Sequence, residues 1–235
     1  MNTYLYFLIS IIFSIHVHAN EAPLKLITKD NNINYPLPSG WCDNTQSKRG
    51  LLLLQYVQAI SNDSNLGLDA KLILSKCNAM SDAYPWAYVA TGRMDKFSGS
   101  SQYVFNNLVK GTLNLGLLDD VLENIENTQS KISEELFEVE IQTATSSLYE
   151  SRILSDDKNG ITYSTDMTGF IGGKKFSELL ITSATLVRSQ PIWTYVYNDN
   201  TLKNANSGII KSIIENSEVI ANSNKNGTKQ NSDEN

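Results

Sequence analysis

The stretch from Leu179 to Tyr197, LLITSATLVRSQPIWTYVY, decides the fold. Its two ends are apolar runs rich in β-branched and aromatic residues, and the polar segment 188–191 separates them, so the pattern predicts a β-hairpin that turns there. In the second run, Ile192 to Tyr197, aromatic side chains alternate with Ile, Thr and Val, and neither set is charged. A strand that is apolar on both faces is typical of the centre of a sheet that is covered on both sides.

Further segments with helix or strand periodicity surround this hairpin. We expect a helix over about 206–221 with a stripe of isoleucines that covers one face of the sheet. In the strand predicted over 66–74, one set of alternating residues is apolar, which predicts one buried face: Leu66, Leu68, Ala70, Leu72 and Leu74 alternate with Gly67, Asp69, Lys71, Ile73 and Ser75. The other predicted elements are a helix at 51–60 capped by Thr45 or Ser47, a strand at 86–91, a helix at 100–131 broken near 111–116, a strand at 137–141 and a hairpin at 149–163.

The helix predicted over 100–131 begins its apolar stripe with Val104, Leu108 and Val109. No internal repeat or linker separates the predicted elements, so we expect a single α/β domain over residues 20–221. The segment 222–235 has no apolar residue and is expected to be a disordered tail.

The N-terminal segment 1–19 has the features of an export signal. It carries no charged side chain, contains an apolar run from Leu5 to Ile15, and ends in Val17-His18-Ala19. Small residues before a break suit signal peptidase, so we expect cleavage after Ala19, with Ala22 as a second possible site and retention as a membrane anchor as the alternative. No transmembrane segment is expected after cleavage, and the protein is predicted to be periplasmic or secreted.

Cleavage at Ala19 would remove both histidines of the chain, His16 and His18. Ser-His-Asp triads, Cys-His pairs and histidine-ligated catalytic zinc all require imidazole, so these chemistries are not expected. Carboxylate chemistry and metal sites made of oxygen ligands remain open.

Cys42 and Cys77 are the only cysteines. An even count in an exported chain predicts a disulfide between them rather than two free thiols, and a disulfide sulfur is not a nucleophile.

Composition narrows the partner classes. Of 235 residues, 41% are hydrophobic, which is enough for a core, and 25 acidic residues outnumber 19 basic ones. Nucleic-acid binding requires clustered Lys and Arg that displace counterions, so a nucleic-acid partner is not expected.

Two segments carry oxygen or amide groups that suggest ligand binding. Gly172-Gly173-Lys174-Lys175 resembles a phosphate loop, but it lacks the Walker spacing, so we interpret it as a turn. Asp156, Asp157 and Asn159 could ligate calcium. They lack the order of an EF-hand, and a solvated hairpin turn is the preferred interpretation.

Three other groups have a catalytic or binding interpretation beside a structural one. Glu138 and Glu140 share a strand face and are interpreted as a solvated face rather than an acid–base pair. Asp119-Asp120 suits the start of a helix. The aromatic row of Trp193, Tyr195 and Tyr197 could stack a sugar, but packing against a helix is preferred. We therefore predict no catalytic residue, no metal site and no cofactor.

Several motifs together resemble a known family. They are Pro-Leu-Pro-Ser-Gly-Trp-Cys at 36–42, the leucine-rich strand that ends in Cys77, the stretch 183–197 and a final helix ending in Ala221-Asn222. In this order they are similar to a family of secreted bacterial proteins that has no assigned activity and a PsbP-like fold. The resemblance spans about residues 33–222, and it implies an α/β/α sandwich around a mostly antiparallel sheet.

The same resemblance implies a non-enzymatic binding or assembly module. The family has Gly-Lys before the last strand where this chain has Ser189-Gln190, and a role at photosystem II is not transferred. We expect an exported module that binds a protein or envelope component of unknown identity. The alternative is a carboxylate-dependent glycan hydrolase or another envelope-acting enzyme, because glycoside hydrolysis needs no imidazole.

Overall fold

The structure is a computed structural model that describes residues 23–28, 32–63, 67–77, 85–92, 100–114, 141–143, 151–171, 174–200 and 203–225. The predicted leader 1–19 lies outside these described residues, as do residues 115–140 and 226–235.

The described residues form three helices and ten strands. The helices are α1 (Lys48–Asp63), α2 (Gln102–Asn114) and α3 (Lys203–Ser223). The strands are β1 (Leu24–Ile27), β2 (Asn32–Tyr35), β3 (Trp41–Asp43), β4 (Leu68–Lys76), β5 (Trp86–Gly92), β6 (Ile141–Thr143), β7 (Ser151–Asp156), β8 (Ile161–Ile171), β9 (Lys174–Val187) and β10 (Gln190–Asp199).

Antiparallel pairing joins eight of these described strands into one sheet in the order β3-β4-β5-β10-β9-β8-β6, and β7 also pairs with β8. A separate antiparallel hairpin consists of β1 and β2. β10 lies between β5 and β9, so the prediction that it is a central strand is confirmed.

The β9–β10 hairpin turns more tightly than the sequence predicts. Its turn consists of Arg188 and Ser189, both with positive φ (49° and 64°), and Gln190 already pairs with Val187. Positive φ at both central residues is the conformation of a type I′ turn, whose twist matches that of the strands. The turn is therefore two residues long, whereas the sequence predicted a turn of four residues over 188–191.

Helices cover the sheet on both faces. The even-numbered residues Ile192 and Val196 of β10 pack in one core with Ile209 and Ile213 of α3, and the β1–β2 hairpin adds Tyr35 to it. The odd-numbered residues of β10 face α1 and α2 on the other side. The predicted fold class, an α/β/α sandwich around an antiparallel sheet, is confirmed.

A polar contact ties the hairpin, β10 and α3 together inside the first core. The hydroxyl of Tyr35 lies 3.1 Å from Thr194 Oγ1, and Asn216 Nδ2 of α3 donates to it over 3.3 Å. The side chain of Tyr35 is fully buried. Burial raises the pKa of its phenol, so the hydroxyl stays neutral and able to donate.

The prediction that the strand around 66–74 buries one face is wrong. A register shift between Ala70 and Leu72 in the pairing of β4 with β5 changes the alternation. As a result Ala70 and Ile73 face α1, whereas Leu72 and Leu74 face α3. A β-bulge moves every later side chain to the opposite face, which explains why β4 is buried on both faces.

The structure defines the ends of two helices. α1 begins directly after Ser47, whose Oγ accepts a hydrogen bond from Gly50 N over 2.9 Å, so Ser47 rather than Thr45 is the cap. α3 continues to Ser223, and the buried Asn224 donates to Asn34 O over 2.9 Å. The fold therefore extends to residue 225, beyond the predicted start of the tail.

The disulfide that the sequence predicts is present: Cys42 of β3 is joined to Cys77, which directly follows β4. The bond closes a segment that contains α1 and β4. Among the described residues no helix is long and apolar enough to span a membrane.

We expect the Cys42→Ser/Cys77→Ser double variant to lose stability, because the unfolded chain regains the freedom of a loop with a sequence separation of 35. Loop-closure entropy corresponds to about 4 kcal/mol of unfolding free energy. Urea unfolding of both proteins measures the difference. Wild type in excess reductant is the control and should match the double variant, and equal stability of the double variant and the oxidised wild type would contradict the prediction.

Candidate functional site on the outer face of α2

Helix α2 is held on the sheet through its inner face. Phe105 and Val109 are buried in one core with Ile161 of β8. The ring of Phe105 meets the ring of Trp193 edge-on, with the centroids 5.8 Å apart. Gln102 at the start of the helix accepts a hydrogen bond from Leu186 N over 2.6 Å. These contacts anchor α2 to β8, β9 and β10.

Asn106 sets the position of α2 against the β7–β8 turn. Its side chain is 1% exposed, and its Nδ2 donates to Asp156 Oδ1 (2.8 Å), to Asp157 O (2.9 Å) and to Gly160 O (3.3 Å). Gly160 O also accepts a hydrogen bond from Asp157 N over 3.0 Å, so Asn106 is a second donor to Gly160 O and a donor to Asp157 O, and these bonds orient α2 against the turn.

An ion pair adds to this contact. Lys110 Nζ lies 2.6 Å from Asp156 Oδ2 at the protein surface. The hydrogen bonds from Lys110 and, more weakly, from Asn106 lower the pKa of Asp156, so its carboxylate is ionised at neutral pH. Asn106 and Lys110 are four residues apart on one face of α2, so both side chains contact Asp156 at the β7–β8 hairpin.

The outer face of α2 exposes three large apolar side chains. Tyr103 is 73% exposed, Leu108 53% and Val104 45%. Of the apolar stripe that the sequence indicates, Val109 is buried, whereas Val104 and Leu108 are exposed. Phe105 and Val109 have the same spacing of four, and it is their stripe that faces the sheet.

We call Tyr103, Val104 and Leu108 the outer stripe. Residues four apart in a helix lie on one face, so Val104 and Leu108 are neighbours on the surface, and the exposed Tyr103 directly precedes Val104 in the chain. Contiguous apolar surface on an otherwise polar helix marks interaction sites on soluble proteins. The outer stripe is therefore the candidate functional site.

The predicted aromatic row lies on the opposite side of β10 from α3 and is used in packing. Tyr197 stacks on Trp86 with the centroids 4.4 Å apart, and Tyr195 stacks on Tyr88 at 4.6 Å. Trp193 contacts α2 through Phe105. Burial raises the pKa of Tyr195 and Tyr88, and their hydroxyls remain neutral. Cross-strand aromatic pairs of this kind stabilise a sheet.

The other candidate sites fall in different places. Asp157 Oδ1 accepts hydrogen bonds from Asn159 N (2.7 Å) and Gly160 N (3.3 Å), so this carboxylate shapes the hairpin turn. Lys174 and Lys175 begin β9, whereas the preceding glycines 172–173 lie outside the described residues. The pairs Asp119-Asp120 and Glu138/Glu140 also lie outside them. Within the described ranges no three Asp, Glu, Cys or His side chains come together as a metal site requires.

One acidic pair escaped the sequence analysis. Glu178 of β9 and Asp199 of β10 are directly opposite each other in the register. Both follow the alternation of Leu180 and Tyr197, so both lie on the face of the sheet that α1 and α2 cover. The pairing depends on the position of the turn ten residues away, and no local motif in the sequence indicates it.

Comparison with known proteins finds similarity among solved structures. No protein-family model and no curated protein matches the sequence. Among solved structures, the chain is similar to the solution structure of cyanobacterial PsbP (CyanoP) from Synechocystis sp. PCC 6803, with 8% sequence identity and a TM-score of 0.33. The match covers 83% of this chain and 91% of that chain. At this TM-score it supports no conclusion about partners or activity.

We expect Asn106→Ala to destabilise the domain by about 1–3 kcal/mol, because the carbonyls of Asp157 and Gly160 lose a buried donor. The exposed neighbour Asn107 supplies a matched control, and Asn107→Ala should change the unfolding free energy by less than about 0.5 kcal/mol. Urea unfolding measures both. Equal effects of the two substitutions would contradict the role assigned to Asn106.

Proposed function

We propose that this chain is an exported, non-enzymatic binding module, and that a protein partner docks on the outer stripe of α2. The observation that supports the proposal most strongly is the exposure of Tyr103, Val104 and Leu108 on a helix whose inner face is already packed. Because these exposed side chains are packed little in the fold, they contribute little to its stability. Burial against a partner would remove their apolar surface from water. The partner is a protein of the cell envelope with a complementary apolar surface.

Export is supported by two independent features. The segment 1–19 has the pattern of a signal peptide, and Cys42 is joined to Cys77 in the structure. Disulfides persist in oxidising compartments, which favours the periplasm or the extracellular space over the cytosol. A signal-peptide pattern and a disulfide in one chain are consistent with the same destination.

Geometry favours binding over glycoside hydrolysis, the alternative function. A glycosidase places an acid and a carboxylate on either side of the scissile bond. Glu178 and Asp199 are instead direct partners in one antiparallel strand pair, on the face of the sheet that α1 and α2 cover. This arrangement gives no support to a hydrolase built on these two residues.

The exposed area of the outer stripe sets the free energy that its burial would contribute to binding. Burial of a large aliphatic side chain contributes about 1.5–3 kcal/mol, and Val104 and Leu108 are each about half exposed before binding. Together they would contribute about 2 kcal/mol to an interface, which corresponds to a roughly 30-fold change in the dissociation constant. The Tyr103 ring adds an aromatic anchor of the type that dominates many interfaces.

We expect the Val104→Ser/Leu108→Ser double variant to bind the native partner roughly 30-fold more weakly than wild type at unchanged fold stability. The partner is first identified by affinity capture with the exported wild-type domain and mass spectrometry. Binding of the purified pair is then measured by calorimetry. Unfolding in urea verifies that the double variant remains as stable as wild type.

Val219→Ser is the matched control, because Val219 is 45% exposed but lies on α3, on the far side of the sheet. It should bind as wild type does. Wild-type affinity of the α2 double variant, or an equal loss in the Val219 variant, would refute the assignment of the outer stripe.

A further inference from the structure

Two carboxyl groups oppose each other where the central strands end. Glu178 lies near the start of β9 and Asp199 at the end of β10, and the register makes them direct partners. Side chains directly opposite in an antiparallel pair have Cβ atoms about 4.5–5.5 Å apart, and like charges there are destabilising. The backbone pairing continues just beyond, where Asn200 N donates to Ser177 O over 3.1 Å.

The surroundings of Glu178 are mainly apolar. On its other side it is in register with Met167 of β8, and Leu180 and Tyr197 are the next side chains on the same face. Among the described residues, neither an ion pair nor a side-chain hydrogen bond reaches Glu178. A carboxyl group that is partly withdrawn from water and has no cation partner favours its protonated form.

The titratable groups that face Glu178 come from β10 and α1. They are Asp199 and Tyr197 of β10, with Tyr56 of α1 close enough to act on Tyr197. Burial, the charge of Glu178 and Tyr56 all raise the pKa of Tyr197, so this phenol is neutral throughout the physiological range. Asp199 is therefore the charged neighbour that Glu178 meets when both carboxyls ionise.

We propose that the Glu178–Asp199 pair is a pH-sensitive contact: the ends of β9 and β10 stay paired while Glu178 is protonated, and they separate more readily once both carboxyls are ionised. The contact lies at one end of the strand pair that forms the centre of the sheet. It gives the domain a local opening that responds to the surrounding pH. This inference does not depend on what docks on α2.

The direction of the pH effect follows from the two states of Glu178. Burial, and then the charge of Asp199, raise the pKa of Glu178 from its ordinary value of 4.5 to about 7 in the folded protein. Since the folded state holds the proton more tightly than the unfolded state, the contribution to stability is fully present below about pH 4.5. It declines as the pH rises and is lost above about pH 7.

Hydrogen exchange localises the predicted opening. The amide of Asn200 reports on the pairing of the strand ends, because its donor bond to Ser177 must break before exchange. Exchange of full-length wild type is measured at pH 5.5 and pH 8 and corrected for the intrinsic pH dependence of the chemistry. We expect the opening equilibrium at Asn200 to be about 30-fold more favourable at pH 8.

Glu178→Gln keeps the shape of the side chain and removes its titration, so the opening at Asn200 should become independent of pH. The control is Glu215→Gln. Glu215 is an exposed carboxyl 3.7 Å from Lys211 on α3, and this variant should behave as wild type does. An unchanged pH dependence in the Glu178 variant, or a pH response of equal size at the β1–β2 amides, would overturn the proposal.

A second variant covers the case in which Glu178→Gln does not fold. Asp199→Asn removes the neighbouring charge, so Glu178 should ionise more easily and the midpoint of the opening should move to lower pH. A midpoint that stays in place or rises would contradict the pairing.

Discussion

The position of β10 is the constraint on which the rest of the structure depends. Its partners are β5 on one edge and β9 on the other, and helices cover both of its faces. A slip of one residue would move the aromatic side chains from the α1–α2 face to the α3 face, so the register is strongly specified. Through Thr194 the strand holds Tyr35 and the β1–β2 hairpin, and through Trp193 it holds α2.

This constraint leads directly to the proposed binding surface. Phe105 packs against Trp193, and Asn106 donates hydrogen bonds to the β7–β8 turn. These two contacts determine the rotation of α2 about its own axis. Val104 and Leu108 must then point away from the sheet. The same contacts that stabilise the core therefore expose the outer stripe, which the proposed partner would cover.

Part of this arrangement could be predicted from the sequence. The hairpin and the central strand follow from residue types, because alternation and a polar turn are local signals. The face of α2 could not be predicted, since 104/108 and 105/109 have the same spacing and only the contact with Trp193 distinguishes them. The Glu178–Asp199 pair was missed because a turn over 188–191 would place Leu180 opposite Asp199, whereas the two-residue turn places Glu178 there.

Photocrosslinking in the native cell envelope tests the central claim, that α2 carries the docking surface, most directly. A photoreactive amino acid replaces Leu108 on α2 in one strain and Val219 on α3 in another, both at exposed positions. The account predicts a covalent adduct of defined mass from position 108 and none from position 219. An adduct from position 219 alone, or from neither position, would contradict it.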